Sequence, residues 1–378
     1  MEDVKKSIYE DFMSSYEESK YFSASTIVIS YCPDIDIMEP NDKRKYKLLG
    51  IKLIDNGKYA DNKKLNNTIK RCNLSIKRNL SRGSWQIFYL YKELLQTLLG
   101  DDLYFNYFRG QAGDYPLLPG VLRSETTKYY LRNFENIYKR MSFEFPDMVN
   151  YTKLVDDESI NCRESDLSLL QHFGLKTSLL DITRNPYIAM LFMLRDSIDK
   201  YKEPTLYLFK INNNYDDDNK LNLFTEVKKS HINDRILAQK GAFLNFEKAI
   251  LNKSGTKEVE AIPYVKIVLH LESEKYKNAI DKQFDLLNDF KNDLKNDKDL
   301  KKIVNDPEEV DEFLEKVTFI KDHMDEVQIK CLQHINDELS QKLYEFYYTK
   351  EDMFPDFENR IKYLSTKYKD ETQDMKFH

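Results

Sequence analysis

Short apolar runs of strand character alternate along the chain with longer stretches in which apolar residues return every three or four positions. Ala24 to Tyr31 carries the run Thr-Ile-Val-Ile and is broken by Cys32-Pro33-Asp34, which predicts a strand. Leu48 to Ile54, ending at Asn56-Gly57, predicts a second. Leu65, Ile69, Cys72, Ile76 and Leu80 then recur at helical spacing, with Lys70, Arg71, Lys77 and Arg78 on the remaining faces. Such a helix either packs by its apolar stripe and leaves its cations solvated, or offers those cations to phosphates. Spacing is compatible with both.

Trp85 to Leu99 predicts an apolar helix stopped by Gly100, and Tyr104 to Phe108 a buried strand delivering Arg109-Gly110 at its end. Further helices are predicted over Ser124 to Phe143, over Glu164 to Phe173 with Gly174 closing it, and from Asn185-Pro186 to about Lys200. Thr205 to Ile211, Ala242 to Phe246 and Tyr264 to His270 are strand candidates. The mixture predicts an α+β fold, a single main domain with central strands, preceded by an N-terminal α/β extension.

After His270 the chain turns rich in Lys, Asp and Glu. Val310, Leu314, Val317, Ile320, Met324, Val327, Cys331, Ile335, Leu339 and Leu343 form one apolar stripe, which predicts a long amphipathic helix. It either lies against the main domain or serves as a dimer or partner seam, such as an antitoxin interface. Asn212 to Asn219 is a solvated Asn/Asp loop.

Composition narrows the classes. Across 378 residues, 41% are apolar and 13% aromatic, enough for a substantial core and against general disorder. No run approaches the roughly 20 apolar residues that span a bilayer, and Met1 to Glu10 is charged, so a cytoplasmic address without membrane attachment is expected. Cys32, Cys72, Cys162 and Cys331 are scattered, which predicts neither a zinc site nor disulfides. The net charge of −6 conceals an asymmetry: every charged residue from Lys63 to Arg82 is basic, whereas Asp281 to Glu326 is rich in acids. The first segment would attract a polyanion.

Several residues carry candidate chemistry. An Arg at a strand end followed by Gly can present its guanidinium fork to a phosphate or ribose, because Gly110 would let the ligand approach the backbone, so Arg109 is a ligand candidate; pairing with Asp181 is the structural alternative. His172 and Asp181 flank the turn at Gly174, where a carboxylate would hold one imidazole tautomer, in a site or in a polar core network. No nucleophile elbow accompanies them, and GxxxxGK[ST], HExxH and GxGxxG are absent. His231, His270, His323 and His334 are scattered and expected to be surface or satisfied imidazoles.

Three stretches together resemble the FRG family. Tyr107-Phe108-Arg109-Gly110-Gln111, with Tyr115-Pro116-Leu117-Leu118-Pro119 and Arg123, is similar to its opening signature. Leu169 to Pro186, containing Leu-Leu-Gln-His-Phe-Gly-Leu-Lys-Thr and Leu-Leu-Asp-Ile-Thr-Arg-Asn-Pro, resembles its core. Arg235 with Gln239-Lys240-Gly241-Ala242-Phe243, and Phe354-Pro355-Asp356, are similar to its later elements. The resemblance organises the chain as an extension over residues 1–83, an FRG domain over 84–364 with an acidic helical insertion at about 271–340, and a polar tail over 365–378.

The motif order also looks like that of ADP-ribosyltransferases: an Arg, a hydroxyl strand, then Gln-x-Glu. Residue by residue, Arg109 matches the Arg, Thr177 and Ser178 the hydroxyls, and Gln239 the Gln. Gly241 stands where that pattern has its Glu, which leaves Asp181, Glu125 or Glu247 as carboxylates to replace it. The resemblance implies NAD as substrate, without a metal, with Arg109, His172, Asp181 and Gln239 as catalytic residues. It further implies NAD contacts from Arg109, Gln111, Tyr115, Arg123, Thr177, Ser178, Thr183 and Arg184. The implied function is a toxin or phage-defence effector that modifies a nucleic acid or protein, with Lys70, Arg71, Lys77 and Arg78 as nucleic-acid contacts. The alternative is a non-catalytic module that binds a nucleotide or phosphorylated ligand and signals to a partner protein.

Overall fold

Strand periodicity builds the centre of the molecule. β1 (Phe22–Pro33) buries every second residue over most of its length and pairs antiparallel with β2 (Tyr46–Ile54). The other strands are β3 (Tyr107–Gln111), β4 (Leu179–Thr183), β5 (Thr205–Phe209), β6 (Lys220–Leu221), β7 (Phe224–Thr225), β8 (Gly241–Asn245), β9 (Glu258–Val259) and β10 (Ile262–Leu271). Eight form one mixed sheet in the order β2-β1-β10-β5-β3-β4-β8-β7. In that sheet β1 and β10 run parallel from Phe22↔Ile262 to Tyr31↔Leu271, and the other neighbours are antiparallel. The computed structural model describes residues 7–39, 45–54, 59, 61–78, 86–194, 198, 202–212, 219–226, 237–296 and 307–353.

Successive strand residues point to opposite faces, so each face is covered by its own helices. The helices of the first half are α1 (Ile8–Met13), α2 (Glu18–Tyr21), α3 (Lys63–Arg78), α4 (Gln86–Leu98), α5 (Lys128–Glu144), α6 (Asp157–His172) and α7 (Pro186–Met193). On one face Ile27, Ile29, Leu206, Leu208 and Ile267 form a core with α3, α4, α7 and the C-terminal helices Ser273–Asn296, Pro307–Asp322 and Met324–Glu345. On the other, Tyr107, Tyr207, Phe209 and Tyr264 pack with α1, α5 and α6. The fold is α+β.

Several elements differ from their sequence expectation, among them α6, which starts at Asp157, capped by Asp156, and not at Glu164. Arg109 lies mid-strand rather than at a strand end, because Tyr104 turns the chain at φ 53° and β3 begins only at Tyr107. α7 stops at Met193, short of Lys200, since Leu194 is already extended. α5 starts at Lys128, where the Thr127 side chain accepts from the Tyr130 amide, and not at Ser124. The long C-terminal helix is two, interrupted at His323, whose ring Nδ1 lies 3.0 Å from the Phe319 carbonyl.

Val317, Ile320, Val327, Cys331, Ile335, Leu339 and Leu343 of that stripe are buried in the core of this chain itself. Leu80, Trp85, Arg235, Phe354-Pro355-Asp356, the interior of the Asn212 to Asn219 run and the 365–378 tail lie outside the described residues.

Candidate functional site

β3 and β4 meet at a single pair, Phe108↔Thr183, although each is fully paired on its other side, β3 with β5 and β4 with β8. The sheet therefore opens along this seam, and a cavity of about 280 Å³ lies there. β3 lines it with Phe108, Arg109 and Gly110, and β4 with Asp181, Ile182 and Thr183. α6 contributes Ser168, Gln171 and His172, α7 contributes Phe192, and the β8 segment contributes Gln239, Gly241, Ala242 and Phe243. Arg109, His172, Asp181, Thr183 and Gln239, far apart in sequence, share this cleft.

The splayed seam explains how Arg109 is held. An inner-edge carbonyl of β4 has no ladder partner from β3, and Arg109 Nη1 donates to it at Asp181, 2.6 Å away. Nε reaches Gln111 Oε1 at 3.4 Å. The alternative drawn from sequence, an ion pair with the Asp181 carboxylate, is replaced by this bond to its backbone. Burial pushes the half-buried guanidinium down to about 10, with Asp181 opposing the shift and Arg123 adding to it. Arg109 is a cation at neutral pH.

Asp181 is exposed to the cleft and oriented by a relay. The Leu179 amide donates to Thr177 Oγ1 at 3.2 Å, so the Thr177 hydroxyl must use its own hydrogen on Gln171 Oε1. That fixes the Gln171 amide, and its Nε2 donates to Asp181 Oδ1 at 2.7 Å. Ser168, Gln171 and His172 share one face of α6 because they are spaced i, i+3 and i+4. His172 is half-buried and meets Phe173 edge-on at 4.9 Å.

The rim at Gln239 is tied on both sides. Thr183 Oγ1 donates to the Gln239 carbonyl at 2.6 Å and accepts from the Asn185 amide, while Gln239 Nε2 donates to the Met353 carbonyl at 2.9 Å. Asn185 caps α7 and also donates to the Tyr348 hydroxyl at 3.0 Å. The segment after the last long helix thus bonds two residues beside the cleft.

Gly110 was expected to give a ligand access to the backbone. Its geometry assigns another role: a Cβ there would fall 1.7 Å from the Ala189 carbonyl oxygen and 2.7 Å from the Met193 amide. Only glycine lets α7 sit this close to β3.

The remaining sequence candidates do not line the cleft. Gln111 is buried and donates to the Tyr115 carbonyl, and Arg123 Nε donates to the Leu118 carbonyl. Thr177 and Ser178 are buried behind β4, where Thr177 acts through Gln171. Arg184 points to the Tyr107 hydroxyl and pairs with Glu226. Glu125 is exposed elsewhere. Glu247 is wholly buried: Arg163 Nε and Nη2 grip its two oxygens at 2.9 and 2.8 Å, and Tyr9 of α1 lies 3.0 Å away. Asp181 is therefore the carboxylate of the lining.

Ser168, Gln171, Phe192 and Phe243 were not singled out from sequence. The i, i+3, i+4 spacing around His172 was the available signal for the first two. Phe192 and Phe243 look like any core aromatic until the seam is known. Lys70, Arg71, Lys77 and Arg78 lie apart from the cleft, exposed on α3, which packs on β2 and α4. Among the described residues no cluster of His, Cys, Asp and Glu could hold a metal, and no helix is long and apolar enough to cross a membrane.

Residues 105–202 match the family model of the FRG domain. The chain carries an FRG domain. No curated protein and no solved structure matches the chain. The FRG match spans β3, α5, α6, β4 and α7, and so includes the cleft residues from Phe108 to Phe192. Gln239 and the β8 residues, which close the FRG cleft, lie beyond the matched segment.

Proposed function

We propose that the FRG cleft binds NAD and transfers its ADP-ribosyl group to a nucleic acid or protein, in the manner of a toxin or phage-defence effector. The observation that carries this reading is the convergence of a guanidinium, a carboxylate, an imidazole and a fixed amide on one seam: Arg109, Asp181, His172 and Gln239. Cleavage of the glycosidic bond develops positive charge on the ribose, which a carboxylate facing it stabilises. Asp181 takes that role here, with Gln171 holding its orientation. Arg109 anchors the pyrophosphate, His172 accepts the proton of the attacking group, and Gln239 orients the ribose or nicotinamide.

The experiment is incubation with NAD labelled in its adenylate, together with total RNA, DNA and protein, while free nicotinamide is assayed. Label transfer lost in Asp181→Asn, in a protein that still folds, supports the reading. An absence of both transfer and nicotinamide, with NAD bound equally well by Arg109→Ala, would falsify it.

One observation favours a second reading. Gly241, where transferases of this motif order have a Glu, lines the cleft without a side chain, and the Asp181 carboxylate already accepts from Gln171. A non-catalytic module would bind a nucleotide or phosphorylated ligand through Arg109. It would relay occupancy through Gln239 and Met353 to the C-terminal helices and a partner protein. Asp181→Asn separates the two readings, because it would leave such binding intact.

A further inference from the structure

Helix α3 holds six cations and no acid between Lys63 and Arg78. They fall in adjacent pairs seven residues apart: Lys63-Lys64, Lys70-Arg71 and Lys77-Arg78. Seven residues make nearly two turns, so the pairs stack along one side of the helix at steps of about 10.5 Å.

Contacts with neighbouring elements divide these cations. Lys64 Nζ lies 3.1 Å from Asp102, and Arg71 Nη2 lies 3.4 Å from Glu93 on α4, so both are partly neutralised. Lys63, Lys70, Lys77 and Arg78 are exposed, and among the described residues no acid lies within 4.0 Å of them. Asn67 and Leu74 occupy the intervals, which gives a solvent-facing stripe Lys63, Asn67, Lys70, Leu74, Lys77. Beside it, between α3 and α4, runs a groove of about 760 Å³ lined by Asn67, Lys70, Arg71 and Leu74, with Gln96 and the Arg71-paired Glu93 across. In a chain of net charge −6 this is a local concentration of positive charge.

We infer that this stripe binds the phosphodiester backbone of a nucleic acid. A duplex carries one phosphate charge per about 1.7 Å of its axis, so cations repeating at steps of about 10.5 Å along a straight helix face each find a phosphate of one strand or the other within side-chain reach. Asn67 and Gln96 supply amide donors for phosphate oxygens. An acidic helix would need an apolar seam beside the charges, and Leu74 is the one large exposed apolar side chain of α3. The inference does not rest on the reading of the cleft.

The test is fluorescence anisotropy of the full chain with labelled DNA of about twenty nucleotides, single-stranded in one arm and duplex in the other. Four cations predict that raising salt from about 50 to 200 mM weakens duplex binding by roughly a hundredfold, and single-strand binding somewhat less. Lys70→Gln with Lys77→Gln should weaken binding about tenfold or more and flatten the salt slope by nearly two. Arg71→Gln should change it little, while Glu93→Gln, which frees Arg71, should tighten it. These exposed substitutions spare the buried face of α3, and circular dichroism checks the fold. The assignment is overturned by no binding at low salt, by wild-type binding in the Lys63→Gln, Lys70→Gln, Lys77→Gln triple variant, or by tighter capture of a poly-Glu peptide of equal charge.

Discussion

Arg109 is bonded to the backbone of Asp181, not to its carboxylate: Nη1 donates to the carbonyl oxygen at 2.6 Å, while the carboxylate takes its hydrogen bond from Gln171. One guanidinium thereby closes a seam in the sheet and supplies positive charge to the cleft. Arg109→Ala should cost about 1 kcal/mol in urea unfolding, toward the low end for an abandoned acceptor because water reaches the seam. Arg109→Lys keeps the charge but loses the fork. It should unfold nearly as the wild type does and still bind a phosphate ligand about tenfold more weakly by calorimetry.

The depressed Arg109 value sets a pH dependence. Below about 10 the guanidinium is charged and above it the charge is lost, so affinity for a phosphate ligand should be flat through neutral pH. It should then fall as pH rises through about 10, instead of holding until the ordinary arginine range. The cleft lining contains no Lys, Tyr or Cys that would titrate in that window. Binding measured by calorimetry, with far-UV circular dichroism confirming the fold, checks this. An affinity unchanged across that window would contradict it.

Gly110→Ala should be among the most destabilising single changes in the chain. The new methyl would meet backbone, the Ala189 carbonyl and the Met193 amide, which cannot rotate away, so α7 must lift off β3. We expect a cost of about 3 kcal/mol or more. Gly174→Ala is the control: its φ is +96° but nothing lies within 4 Å, so strain alone should cost about 1 kcal/mol. Denaturant midpoints of the two variants compare the effects directly.

The buried ion cluster makes a different prediction. Despite the cost of burial, the bonds from Glu247 and Glu135 hold the Arg163 guanidinium well above its ordinary value, so it stays charged with no exposure to water. Arg163→Met strands Glu247 and should cost about 3 to 5 kcal/mol. Tyr9→Phe removes only the hydroxyl that α1 contributes and should cost about 1 kcal/mol. It should also make the α1 segment more open to limited proteolysis, because Tyr9 is the link from that helix to both carboxylates.

The sequence made the α+β class legible because strand and helix periods are written in local apolar spacing, as in β1 and α3. It also made Arg109, His172, Asp181 and Gln239 legible as a set through the family resemblance. What it hid depends on distant pairing. The single register pair between β3 and β4 is a matter of sheet topology, and nothing near Phe108 announces it. Arg163 and Glu247 are 84 residues apart and nothing local pairs them, so Glu247 reads as an available carboxylate until both are found buried together. The packing role of Gly110 is hidden for the same reason, since the helix that demands it begins at Pro186.

Thr177 offers the sharpest test of the cleft's chemistry, because it acts without touching the cavity. Its hydroxyl accepts from the Leu179 amide and must donate to Gln171, which leaves Gln171 one orientation, with its amide hydrogens toward Asp181. Thr177→Val is close in shape but cannot donate, so the Gln171 amide can flip and turn an oxygen toward the carboxylate. If Asp181 stabilises charge on a ribose, nicotinamide release should fall about tenfold in this variant, while the Kd for NAD, set by Arg109, stays near the wild-type value. Thr177→Ser retains the hydroxyl and should restore the rate. A Val variant that loses NAD affinity and rate together, with Ser failing to rescue either, would show Thr177 to be packing alone.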